Sequence, residues 1–156
     1  MLASILQAHP TLQGVLFDLP NVVKGAPSLL EKAGVADRCQ VISGDAFTAV
    51  PAGYETYLLS RVIHDWDDER SMAILSRCHQ AMKPHGNVLL VERVIVTGNS
   101  PQMLVLESDV QMLLLSYGGR ERTDTEYGAL LSAAGFEVTR LIPVLPPFYV
   151  IEAVRV

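Results

Sequence analysis

The sequence predicts an α/β fold, a mostly parallel sheet closed by one antiparallel hairpin, on three observations. Apolar, strand-like runs alternate with helix-like stretches along most of the chain, and such alternation builds a parallel sheet covered on both faces. Only Leu145, Pro146 and Pro147 separate the last two strand-like runs. A parallel return needs roughly a dozen residues or more, so that final pair is antiparallel. The 156 residues, 49% hydrophobic and 19% charged, are enough for one domain, 1–156, with a proper core.

Each element has a local reason. VLFDL (15–19) is a short apolar strand ended by Pro20. A helix runs through SLLEKA and closes at Gly34, where a left-handed residue is expected. CQVISGD (39–45) is the second strand, ended by Gly44-Asp45, and TYLLSRVI (56–63) the third. The acidic trio Asp67, Asp68 and Glu69 opens the next helix, since carboxylates favour a helix N-terminus. That helix carries Met72, Leu75, Cys78 and Met82 on one stripe and stops at Lys83-Pro84. NVLLVERVIV (87–96) is the fourth strand, and SPQMLVLESDVQMLLLSY a helix running into Gly118-Gly119. Thr123 and Glu126 have capping-box spacing, so a helix follows to Gly135. FEVTRLIPV (136–144) and FYVIEAVRV (148–156) form the hairpin.

Composition narrows the function. A net charge of −5 without a basic cluster argues against nucleic acid. Cys39 and Cys78 stand far apart in apolar surroundings, which suits buried reduced thiols. The first ten residues lack a signal-peptide pattern. No uncharged apolar run reaches the length of a spanning helix, so no membrane partner is expected. The expected setting is the cytoplasm.

In open α/β sheets ligands bind beyond the carboxyl ends of the strands. Here the first strand ends in Asp18, the second in Asp45, the third in His64-Asp65, and the fourth carries Glu92. These groups are expected along one rim. Asp18 either begins a turn or accepts from a ribose diol. Asp45 is a turn residue or a partner for an adenine amino group, with Ala46 and Phe47 as apolar wall. Arg61 is most simply a snorkelling strand residue. His64 has an ordinary pKa of about 6.5, suited to taking a proton near neutrality. A buried charge at Glu92 needs a partner. That partner is an arginine such as Arg93 or Arg122, or the imidazole, which Glu92 would then hold in its proton-accepting tautomer. Glu121 either does likewise or lies in a solvated charge run.

LFDLPNVV, GDAF, RVIHDWDDE, VLLVERVIV and MLLLSYGGRERTDTEYGALLSAAGF follow one another over nearly the whole chain. In this order they resemble the catalytic domain of the S-adenosylmethionine-dependent O-methyltransferases related to caffeic acid and hydroxyindole O-methyltransferases. The H-D-W-x-D-E and G-G-x-E-R-T segments are the specific ones. The resemblance implies a Rossmann-like class I methyltransferase sheet with S-adenosylmethionine as cofactor. The substrate is then a small molecule with an aromatic hydroxyl. His64 is the general base, bracketed by Glu92 and Glu121. Asp18, Asp45, Ala46, Phe47, Arg61 and Trp66 fall at cofactor positions, and Met112 and Ser116 at substrate-lining ones. Asp65 supports the site. No metal is called for, because the leaving group already carries the positive charge. The family also has an N-terminal helical dimerisation domain and a first strand with a glycine-rich turn. Neither is found upstream of VLFDL, and MLASILQAHP resembles the helix after that turn. The expectation is a chain shortened at its N-terminus, first strand missing, whose homo-oligomerisation lacks its usual domain. The alternative function is a non-catalytic interaction module.

Overall fold

β1 (Gly14–Asp18) and β2 (Cys39–Ser43) pair in parallel, with Asp18 opposite Ser43, so both strands deliver their carboxyl ends to the same side. The computed structural model describes residues 1–96, 103–116 and 118–156 and divides the chain into two units, Met1–Pro51 and Ala52–Val156. In the first unit, α1 (Leu2–Ala8), α2 (Pro20–Val23) and α3 (Ala26–Lys32) accompany the strand pair. Leu6, Leu30, Val35 and Cys39 form its core. The Arg38 guanidinium donates to the carbonyls of Leu6 at 2.9 Å and Leu12 at 3.0 Å. It thereby satisfies the Leu6 carbonyl, one that the last turn of α1 cannot bond internally, and ties down the loop after the helix through Leu12. Gly34, φ +67°, closes α3 as its position predicts.

The second unit holds β3 (Thr56–Ser60), α4 (Asp68–Ala81), β4 (Asn87–Ile95), α5 (Met103–Leu115), β5 (Arg122–Thr123), α6 (Asp124–Ala133), β6 (Phe136–Leu145) and β7 (Phe148–Arg155). Its strand order is β3-β4-β7-β6, with β5 beside the end of β4. β3 and β5 run parallel to β4; β7 runs antiparallel to both β4 and β6. The closing hairpin is therefore as expected, but the strands form two sheets rather than one. Along β4 every second side chain is buried: Val88, Leu90, Glu92 and Val94 share one face. One carboxylate thus sits in an apolar row, where only hydrogen bonds can keep it.

The third strand is shorter than its apolar run suggests. It stops at Ser60 because Arg61 takes a left-handed conformation, φ +54°, which breaks a ladder. A 3₁₀ turn over Ile63–Asp65 follows. His64 therefore lies in a turn beyond the strand, not at its tip, and Arg61 is not a strand residue.

Both anticipated helix starts are present. Asp67 accepts from the Arg70 amide at 2.8 Å. Thr123 and Glu126 complete a reciprocal capping box, 3.1 and 2.8 Å. We expect Thr123→Ala to cost about 1 kcal/mol of stability, read as a lower denaturation midpoint at unchanged slope; an unchanged midpoint would remove this cap from the account. Cys39 and Cys78 are buried free thiols, and burial pushes the Cys78 thiol up to about 12. Among the described residues no helix is long and apolar enough to cross a membrane.

Candidate active site

At the carboxyl end of the β1–β2 pair, Asp18 and Asp45 are both exposed. Asp18 Oδ1 accepts from its neighbour's amide, Leu19, at 2.7 Å, and its backbone oxygen accepts from Gly44 N at 3.0 Å. Asp45 Oδ1 accepts from Phe47 N at 2.9 Å, a turn that fixes the carboxylate's direction. A Cβ on Gly44 would stand 2.6 Å from the Phe17 ring, so only glycine lets that ring lie beneath the loop. An open pocket of about 340 Å³ lies here, lined by Phe17, Ile42, Asp45, Val50 and Pro51 among others. Its volume suits a small-molecule site. Its mostly apolar lining with a carboxylate at the edge fits a nucleoside, with a flat apolar face and hydrogen-bond donors at its rim. Ala46 and Phe47 follow Asp45 in the same turn, both half-buried.

In the second unit, two motifs far apart in sequence pack against each other. Trp66 forms a backbone bridge with Gly118. A Cβ on Gly119 would stand 2.3 Å from the His64 carbonyl oxygen, so the G-G pair lets its loop lie on the histidine turn. Ser116 Oγ accepts from Gly119 N at 2.9 Å and donates to the Met112 carbonyl at 2.6 Å. The two residues expected to line a substrate therefore sit on the α5 turn that feeds this loop. Arg70 places its guanidinium carbon 5.9 Å from the Trp66 ring centroid.

His64 is 3% exposed, and Glu92 is fully buried. His64 Nδ1 lies 2.8 Å from Glu92 Oε2. Glu92 Oε1 accepts from the amides of Val62 at 3.0 Å and Ile63 at 2.9 Å. These bonds answer the question of its partner: neither Arg93 nor Arg122 is paired with it. In the neutral ring, a hydrogen on Nδ1 donated to Glu92 leaves Nε2 with a lone pair. Asp65 Oδ1 lies 3.3 Å from Nε2. Burial is the largest influence on the imidazole and disfavours its charged form. The Glu92 hydrogen bond and the charges of Glu92, Glu121 and Asp65 together outweigh it and hold the His64 pKa above 6.5.

Glu121 is buried, not part of a solvated charge run. Its Oε1 accepts from Ser108 Oγ at 2.6 Å and lies 3.8 Å from Arg93 Nη1. Its amide donates to Asp109 Oδ1 at 2.9 Å. Arg93 donates in turn to Ser108 and lies over the Phe148 ring, 5.1 Å from its centroid. Burial raises the Glu121 carboxyl above its ordinary range, against the Ser108 hydrogen bond and the attraction of His64. Ser108, Asp109 and Arg93 were not legible as site residues. Ser108 and Asp109 lie on α5 with no local signal of a site, and Arg93, which the sequence offers as a partner for Glu92, instead faces Ser108 and Glu121. Among the described residues no group of three or more His, Cys, Asp or Glu could hold a metal ion.

Comparison with known proteins shows the family. Residues 1–137 match the family model described as an O-methyltransferase domain. The phenazine O-methyltransferase PhzM of Lysobacter antibioticus is 42% identical over 153 residues, 98% of this chain and 44% of that protein. The O-demethylpuromycin-O-methyltransferase of Streptomyces alboniger is 42% identical over 160 residues, 100% of this chain and 42% of that one. The chain thus spans less than half the length of these relatives. A crystal structure of an O-methyltransferase from neocarzinostatin biosynthesis, in complex with S-adenosylmethionine and 2-hydroxy-5-methyl naphthoic acid, superposes with a TM-score of 0.88 at 34% identity. That match covers 99% of this chain and 45% of the other.

Proposed function

Because this chain belongs to the O-methyltransferase domain family, we propose that it carries the catalytic machinery of an S-adenosylmethionine-dependent O-methyltransferase acting on an aromatic hydroxyl of a small molecule. The observation that carries this reading is the buried His64 Nδ1–Glu92 contact of 2.8 Å, which leaves Nε2 as an acceptor. A phenol has a pKa near 10 and is little ionised at neutrality, so a positioned base has work to do.

His64 Nε2 takes the hydroxyl proton as the oxygen becomes the nucleophile. The imidazolium so formed is favoured by Glu92 on one nitrogen and by Asp65 at 3.3 Å from the other. Glu121 adds a further negative charge that raises the imidazole's pKa. Met112 and Ser116 border the acceptor. Asp18 and Asp45 accept from the ribose and adenine ends of the cofactor, and Ala46 and Phe47 wall the base. When bound, S-adenosylmethionine supplies a methyl group activated on a sulfonium. Such a fit is supported by the apolar pocket at Asp45 and by the cofactor seen in the neocarzinostatin enzyme.

The test is calorimetric titration of the chain with S-adenosylhomocysteine. Saturable binding that weakens about 10-fold in Asp45→Ala, the loss of one charge-assisted hydrogen bond, is the expected result. Absence of heat at millimolar ligand would overturn the reading and favour the interaction module.

A further inference from the structure

Among the described residues Arg122 is the largest side chain that is wholly buried, with a relative exposure of 0%. A buried guanidinium is costly unless its donors are met. Here they are met almost entirely by the backbone and flanks of one short segment. Nη1 donates to the Ile63 carbonyl at 3.1 Å and Nη2 to the Trp66 carbonyl at 2.9 Å. Nη2 also reaches Asp68 Oδ1 at 2.7 Å and Ser71 Oγ at 3.4 Å, and Nε donates to Asp68 Oδ1 at 3.0 Å. Residues 63 and 66 bracket His64 and Asp65. The same segment gives its amides, from Val62 and Ile63, to Glu92. The turn is thus held by its N–H groups on a carboxylate and by its C=O groups on a guanidinium.

We propose that Arg122 is a positioning residue for His64: the guanidinium fixes the 62–66 turn so that the imidazole keeps Nδ1 on Glu92 and turns Nε2 to the side of Asp65. This rests on the reading of His64 as the base. A turn has only two soft dihedrals per residue, and pinning its carbonyls on both sides of the histidine removes the rotations that would carry the ring away from Oε2. A planar fork meets two carbonyls and a carboxylate at once; a lysine ammonium on its flexible stem does not. Asp68 holds the fork from outside the site. It is 60% exposed at its side chain, it also pairs with Arg120 at 3.1 Å, and both arginines lower its pKa.

The test follows the His64 ring by nitrogen NMR in a pH titration of wild type, Arg122→Gln and Asp68→Asn, together with kcat and KM for a phenolic acceptor. The charged groups facing the ring, Glu92, Glu121 and Asp65, are unchanged in all three. In wild type the neutral ring is expected as the Nδ1–H tautomer, with a pKa above 6.5. In folded Arg122→Gln the tautomers mix, the pKa falls, and kcat drops by up to about 100-fold with KM nearly unchanged. If Arg122→Gln does not fold, Asp68→Asn carries the same readout with a smaller change of the same sign. A wild-type tautomer and pKa in whichever of the two variants folds would overturn the proposal. The NMR arm needs no turnover, so a failure of positioning is distinguishable from a failure of the methyltransferase reading.

Discussion

His64→Ala is expected to lower methyl transfer to a phenolic acceptor by about 10²–10⁴-fold, the usual contribution of a positioned general base, while leaving affinity for S-adenosylhomocysteine nearly unchanged. The asymmetry follows from where the groups lie. His64 is part of the second unit, whereas the Asp18, Asp45 and Phe17 environment proposed for the nucleoside belongs to the first. The loss should fall on kcat, because the base acts on the proton only as the oxygen attacks. The variant also leaves Glu92 Oε2 without its partner, but Oε1 keeps two backbone amides, so folded protein is expected at reduced stability. Product formation followed by chromatography, beside a calorimetric titration of the same sample, decides it. Unchanged turnover removes His64 from the base role. Loss of ligand binding together with turnover means instead that the substitution acts through the fold.

Much of this site was legible because its groups come from motifs with unusual composition. His64, Glu92 and Glu121 each stand out as a charge or imidazole at an otherwise apolar or glycine-rich place, and the capping box at Thr123 is a local signal that needs no tertiary knowledge. The strand end at residue 60 was not legible. Val62 and Ile63 continue the apolar run, and only the left-handed Arg61 ends the ladder, a conformation that arginine does not advertise. Arg122 was visible as a candidate partner, but for the wrong acid. Sequence spacing makes Glu92 and Arg122 equally plausible partners for one another. The fold instead gives Glu92 two amides and an imidazole, and sends Arg122 to Asp68 and two carbonyls. The division of strands into two sheets likewise lies beyond local pattern, since an apolar run does not say which neighbour it will pair with.

Glu92→Gln tests the other half of the pair and should have the second large effect. Glutamine keeps the shape and can still accept from Val62 and Ile63. Toward His64 it then presents an amide N–H₂ donor in place of a carboxylate oxygen. Nδ1 can answer a donor only by giving up its hydrogen, which moves to Nε2, and the ring no longer has an acceptor for the substrate. Holding a catalytic imidazole in the wrong tautomer costs about 10⁴-fold in the protease case that defines the effect, and a loss of about 10³–10⁴-fold in kcat is expected here. The pH dependence has a definite sign. In wild type the His64 pKa is raised above 6.5, so its charged form adds stability that is full below about 6.5 and lost as pH climbs through the higher folded value. In Glu92→Gln the main raising influence is gone while burial remains, so the pKa falls and the same group contributes less stability in acid, with Glu121 and Asp65 still raising it. Glu121 is common to both proteins and cancels to first order. The stability gap between wild type and variant should therefore be wider at pH 6 than at pH 9, as read from denaturant midpoints at the two pH values. A gap that is constant, or that widens toward alkaline pH, would mean that the carboxylate does not hold the imidazolium, and with it the assignment of Glu92 as the orienting acid would fall.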